Sequence, residues 1–279
     1  QAEDVLVEMP GFLGIPASPC PVVQSKHPGR FRSTHGSSRP SGIAPGSARD
    51  AHLLGELLVA HDFLLDQRRE LLGCTANDLI AALFQLAQPR LRRATGWEIV
   101  GVPGLIPEVP FFTLLANRRF PVTDWIRSPQ EFDYIVEPDV FHDLFGHVPL
   151  LFDPVFADHM QAYGLGGLKA HRLDACEMLS RLYWYTIEFG LIRQRDGLRA
   201  YGAGILSSPG ELQHAVADPA TLRLPLDIER AMRTRYRIDT FQATYFIIDS
   251  FQELFDKTAP DFTPIYERLR SLPEFAPGE

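Results

Sequence analysis

The sequence predicts a mainly α-helical fold with a few short β-strands, of the α+β kind, in one large domain. Three observations point there. Apolar residues recur at helical spacing in several separate segments. Proline and glycine clusters punctuate those segments irregularly, and no internal repeat is found. The 279 residues, 45% hydrophobic and 22% charged, suffice for one substantial core.

Residues 1–50 are rich in Pro, Gly, Ser and Arg and lack an apolar period, which predicts a disordered or irregular N-terminal segment. The folded domain is expected over 51–279. Leu54, Leu57, Leu58, Leu64 and Leu65 lie near helical spacing, so 51–73 reads as an amphipathic helix. A cap at 75–78 introduces a second helix over 78–87, ended before Pro89. Prolines and glycines crowd 97–110, which predicts a loop, and 111–117 is apolar and helical. Residues 121–134 mix short extended pieces with turns. A helix is expected over 137–146 with Pro138 in its first turn, and another over 153–163 followed by a flexible glycine-rich loop at 164–167. No strand precedes those glycines, so a plain loop is favoured over a phosphate-binding one. Residues 174–195 read as a long, mostly buried helix. Short β pieces are expected at 200–206 and 237–241, and helices at 226–234 and 245–256.

Charge and cysteine usage narrow the function. Lys and Arg total 27 against 35 Asp and Glu, a net charge of -8, which argues against general nucleic-acid binding. No apolar run reaches the roughly 18 residues a membrane span needs, and no signal peptide is read at the start. Cys20, Cys74 and Cys176 are odd in number and far apart. They support neither a disulfide framework nor a zinc knuckle, and a reducing cytoplasm is the expectation.

The informative chemistry lies in two segments. Glu188 sits inside the aromatic run Arg-Leu-Tyr-Trp-Tyr-Thr-Ile-Glu-Phe-Gly of residues 181–190. Burying an unpaired carboxylate there would cost several kcal/mol, so it needs a cation, a metal or a route to solvent. Upstream, His142 and His147 stand in an apolar setting. Two His and a distant carboxylate make the facial triad of non-haem Fe(II), which leaves positions open for oxygen and substrate. Zinc accepts the same donors, although the His-Glu-x-x-His helix is absent, and two satisfied core histidines remain a further possibility. On an ideal α-helix, five steps turn the chain by about 500°, so the two rings would diverge by about 140°. Convergence then requires the helix to end between them, at Gly146 and Pro149.

At these residues the chain resembles the pterin-dependent aromatic amino acid hydroxylases, most of all the bacterial phenylalanine 4-hydroxylases. The resemblance runs from about residue 97 to 255 and rests on five blocks in the right order: 102–107, 115–122, 137–149, 183–190 and 201–208. Leu114 departs from the His often found in bacterial members.

The resemblance implies a single catalytic domain of that type, with His142, His147 and Glu188 as ligands to Fe(II) and Tyr183 as a phenol near the iron. It implies that tetrahydrobiopterin or a related tetrahydropterin stacks on Phe111 and meets the backbone of Gly104, Leu105 and Ile106. Asp143 would contact that pterin through water. Arg127, oriented by Asp139, would clamp the substrate carboxylate. Pro138 and Trp184 would wall the ring pocket, and Ser207 and Ser208 would lie close to substrate. The implied reaction converts L-phenylalanine to L-tyrosine with O2, in a cytoplasmic monomer without nucleic-acid or membrane partners. Tryptophan hydroxylation, phenylalanine 3-hydroxylation and an inactive iron-binding relative stand as alternatives.

Overall fold

A computed structural model describes residues 76–128, 131 and 137–279. The expected irregular segment at 1–50 and the helix at 51–73 lie outside the described residues.

The chain opens with α1 (Ala76–Thr95), then β1 (Glu98–Val102), α2 (Glu108–Ala116) and β2 (Arg119–Thr123). β1 and β2 pair in parallel, Glu98 opposite Arg119 through Val102 opposite Thr123. A π-helical turn at His142–His147 and a 3-10 turn at Leu150–Phe152 lead into α3 (Pro154–Arg172) and α4 (Cys176–Tyr183). A second π-turn, Trp184–Glu188, runs into β3 (Gly190–Gln194) and β4 (Gly197–Ala200). After them come α5 (Ala203–Leu206), α6 (Pro209–Ala217), β5 (Leu222–Pro225), α7 (Ile228–Arg233), β6 (Thr244–Ile248), α8 (Phe251–Thr258) and α9 (Thr263–Leu269). The larger sheet has the order β4-β3-β6-β5, antiparallel only between β3 and β4.

Every residue of β6 is buried. Its alternation divides the interior: Phe246 and Ile248 join the main core, while Tyr245 and Ile247 join a smaller one with Phe189, Leu191, Ile205 and Ala215. Two covered faces explain why this strand reads as a continuous apolar run. The expected helix over 245–256 is therefore two elements, β6 and then α8, whose Ser250 side chain accepts from the Glu253 N–H to cap the helix start.

Several other expectations are corrected. The first described helix does not stop before Pro89 but carries it inside. Residues 97–110 contain β1 as well as a loop, because Trp97 and Val102 find buried places that outweigh the local glycine and proline. Pro138 precedes the helical turn, in irregular backbone, rather than lying within it. The long helix expected at 174–195 ends in the second π-turn and becomes β3. Residues 203–206 are helical, not extended, and 237–241 form no strand.

The glycines at 164–167 are not a loop. α3 passes straight through them. A Cβ on Gly164 would lie 2.3 Å from the Ala116 nitrogen, and one on Gly167 would lie 2.1 Å from the Phe112 ring. Their role is close approach of α3 to α2, which makes glycine a packing residue here. α3 begins on Asp153, whose carboxylate accepts from the Val155 and Phe156 N–H groups, with Pro154 next.

Candidate metal centre and its pocket

The two π-turns carry the three candidate ligands. His142 and His147 are the first and last residues of one turn, and Glu188 is the last of the other. In a π-turn the hydrogen bond reaches five residues back, seen here as Val148 N to Asp143 O at 3.0 Å and Phe189 N to Trp184 O at 2.8 Å. A five-residue reach brings positions five apart onto one side. The helix therefore widens between the histidines instead of ending, which corrects the expected break. Gly146 serves a different need: a Cβ there would lie 2.7 Å from that of Ala203.

The ligand atoms converge. Nε2 of His142 lies 3.0 Å from Nε2 of His147. The Glu188 carboxylate reaches them at 3.4 Å and 3.2 Å. Both imidazoles are buried. Ser207 assigns a tautomer to His142. Its hydroxyl donates to the Ala203 carbonyl at 2.8 Å and so accepts from His142 Nδ1–H at 2.9 Å. That leaves the Nε2 lone pair free to face Glu188 and His147. Nδ1 of His147 is buried without a partner.

Burial pushes His142 down to about 4, against the opposing pull of the Glu188 carboxylate. Burial also opposes charge on His147, but the Glu188 carboxylate outweighs it and moves that imidazole up. Burial opposes charge on Glu188 too, and the two imidazoles still hold it below its ordinary value. Three electron-pair donors turned toward one point, in a buried setting, fit a divalent cation: two neutral nitrogens and one anionic oxygen.

A cavity of about 400 Å³ opens beside this centre. Gly104, Leu105, Ile106, Phe111, Pro138, Asp143, Tyr183, Trp184, Ser207 and Ser208 line it together with the three ligands. Asp143 is buried and accepts from the Thr123 N–H and hydroxyl at 2.8 and 2.9 Å, while burial pushes its carboxyl up to about 6. Tyr183 lines the cavity with Glu188, and its ring meets Phe111 edge-on at 5.9 Å. Ser208 accepts from Glu211 N to cap α6. Leu105 is 74% exposed at the rim.

Arg127 and Asp139 lie behind the wall and are not among the lining residues. They form a bidentate pair, Nε to Oδ2 at 3.0 Å and Nη2 to Oδ1 at 2.8 Å, and Arg127 Nη1 donates to the Ser207 carbonyl at 2.7 Å. Asp139 also accepts from the backbone of Arg127 and of His142. Of the five guanidinium N–H groups, one on each terminal nitrogen has no part in these bonds.

Several lining residues escaped the sequence reading, among them Glu108, Phe120, Tyr163, Ser180, Tyr236 and Ile238. Tyr236 stacks on Trp184 at 4.2 Å, and buried Gln242 accepts from the Trp184 indole N–H at 3.0 Å. No local pattern marks either residue, since both reach the site from an irregular stretch after α7.

The sequence model of the family described as "Biopterin-dependent aromatic amino acid hydroxylase" matches residues 69–268. The chain belongs to that family. The match starts earlier than the sequence blocks suggested, so α1 falls within the family unit. A phenylalanine-4-hydroxylase of Ralstonia nicotianae is 62% identical over 70% of this chain and 63% of its own length. One from Chromobacterium violaceum is 59% identical over 70% of this chain and 66% of its own. The match thus spans just under two thirds of those curated relatives. A crystal structure of the Chromobacterium violaceum phenylalanine hydroxylase bound to iron and phenylalanine superposes with a TM-score of 0.67 at 58% identity, covering 70% of this chain and 71% of that one. The cobalt-bound form of that enzyme gives a TM-score of 0.69 at 59% identity over the same shares.

Proposed function

We propose that this hydroxylase converts L-phenylalanine to L-tyrosine, using O2 and a tetrahydropterin such as tetrahydrobiopterin, at Fe(II) held by His142, His147 and Glu188. The observation that carries the reading is the convergence of two imidazole Nε2 atoms and one carboxylate, 3.0 to 3.4 Å apart, on a cavity wall. The phenylalanine-4-hydroxylases that align at 62% and 59% identity support the substrate. The catalytic unit so assigned is 51–279.

When bound, the iron and the reduced pterin together supply the electrons and the activation of O2 that ring hydroxylation needs. The chain supplies placement. Ser207 keeps the His142 Nε2 lone pair available through its bond to Nδ1. Tyr183 lies on the same wall as Glu188, where its phenol is placed to steady the carboxylate. Phe111, Gly104, Leu105 and Ile106 form the pterin side of the cavity, with Asp143 nearby for a contact through water. Trp184, clamped by Gln242 and stacked on Tyr236, and Pro138 form the ring side. Arg127 is set by Asp139 with two N–H groups still available, which suits a bidentate hold on the substrate carboxylate. The two serines close the substrate side.

The same reading makes the protein a cytoplasmic monomer that acts on small molecules alone. A net charge of -8 disfavours nucleic acid, and no helix among the described residues is long and apolar enough to cross a membrane. Light scattering on the eluting protein tests the monomer.

The decisive experiment incubates Fe(II)-loaded protein with tetrahydrobiopterin, O2 and a mixture of phenylalanine, tryptophan and tyrosine, and identifies products by mass and retention. Para-tyrosine is the expected product. A hydroxylated tryptophan or meta-tyrosine would reassign the pocket, and absence of product from iron-loaded protein would remove the activity.

A further inference from the structure

Among the described residues, a second group of metal-ligating side chains is drawn together apart from the iron centre. Glu108, His171 and Cys176 each offer one ligand atom, all within 4.8 Å of one another. Three elements supply them: the first residue of α2, the last turn of α3 and the first residue of α4. His171 Nδ1 lies 3.9 Å from Cys176 Sγ and 3.6 Å from Glu108 Oε2. Cys176 and Glu108 complete the triangle, since their ligand atoms too lie within 4.8 Å of each other.

We propose that Glu108, His171 and Cys176 form a second metal site, for a divalent cation of the Zn2+ class, at the rim of the main cavity.

The ligand types and the spacing both favour this class. A thiolate and an imidazole select a borderline-soft ion over Mg2+ or Ca2+. Tetrahedral zinc with ordinary bond lengths sets sulfur and nitrogen ligands about 3.6 Å apart, and nitrogen and oxygen ligands about 3.4 Å apart. The observed separations of 3.9 and 3.6 Å need a closure of a few tenths of an ångström. Three protein ligands leave a fourth position for water.

The backbone prepares the approach. α3 ends in a tight corner, where Ala175 N bonds Ala170 O at 2.9 Å and Asp174 takes a left-handed φ of 52°. A non-glycine residue in that region is uncommon. The corner folds His171 and Cys176, five residues apart, onto one side. Burial first and Glu108 second push the Cys176 thiol up to about 12, so the metal-free cluster retains one proton. Binding a divalent ion releases that proton to solvent as the thiolate forms.

Occupancy has a consequence for the neighbouring pocket. Glu108 lines the main cavity and opens α2, the helix that carries Phe111. A cation would pin that end of α2 to the α3–α4 corner. The consequence rests on the pterin reading above; the cation site does not.

The test uses the full-length, Fe(II)-loaded protein with its thiols reduced, titrated with Co2+. A cobalt–thiolate bond gives a near-ultraviolet charge-transfer band that the iron centre cannot give, because its donors contain no sulfur. One equivalent of such a band is expected. It should disappear in Cys176→Ser. It should weaken in His171→Ala and Glu108→Gln by at least the roughly 10- to 100-fold that loss of an outer-shell partner costs a metal site. No band would overturn the proposal, as would a band that survives Cys176→Ser or is unchanged in both other variants. As a second measurement, Zn2+ added to turnover assays should shift the pterin KM and leave the phenylalanine KM unchanged in the parent protein but not in Cys176→Ser. An intact cobalt band with no hydroxylation would retire the activity and keep the cation site.

Discussion

The His142–His147–Glu188 centre and the Arg127–Asp139 pair adjoin one another, with Asp139 accepting from the His142 backbone. Both are ionisable and, apart from the partly exposed Glu188, buried, yet they are opposites in completeness. Asp139 is fully engaged: Arg127 binds both its oxygens, and two backbone N–H groups add to them. The three ligands turn nitrogen and oxygen atoms toward one another, and His147 keeps an unpartnered nitrogen. A satisfied network rigidifies its surroundings. An unsatisfied one marks a place for something else. The first holds the second in position.

This contrast can be broken most completely at the ligands. Glu188→Gln should lose iron and hydroxylation together, by more than the roughly 10- to 100-fold that an outer-shell change costs. Metal analysis of the purified variant checks it, and chelation of the parent followed by Fe(II) addition should remove and restore activity. Next comes Asp139→Ala, which strands the buried Arg127 guanidinium at a cost of about 3–5 kcal/mol. That corresponds to a fall in Tm on the order of 10 °C for a protein of this size, read by calorimetry. If Tm barely moved, the pair would not be the rigid half of the comparison. Ser207→Ala should keep the fold while weakening Fe(II) binding about 10-fold or more, since His142 loses the partner that sets its tautomer. Competition with a fluorescent chelator measures this. The smallest effect is expected from Gln242→Leu, which leaves the Trp184 N–H unpaired at about 1–3 kcal/mol. The phenylalanine KM should rise while the pterin KM holds, a split that steady-state kinetics resolves.

Much of the centre was legible because its chemistry is carried by residue type. Glu188 in an aromatic run and two histidines in an apolar one already demanded compensation. The geometry joining them was not legible, because an α-turn and a π-turn draw on the same residues and differ only in which carbonyl the N–H reaches. Hence the expected break between His142 and His147 is a widening instead. Strands fared worst. Residues 245–248 are apolar throughout, and such a run suits a helix or a doubly covered strand equally until the neighbouring strands β3 and β5 are in place. Arg127 carried no local signal at all. Its partner Asp139 lies 12 residues on and Ser207 lies 80 on, so only the folded chain brings the three together.

The seam between α2 and α3 has a consequence for altering this pocket. Phe112 rests on Gly167, and its ring meets that of Phe111 at 5.7 Å. The placing of Phe111 is therefore gauged from behind, by the methyl group that α3 omits at 167. A designer seeking room for a slimmer or bulkier cofactor ring could leave every residue that faces it untouched. The gauge is reset at the rear of the wall, where one carbon added at 167 would press on Phe112 and, through its ring, on Phe111.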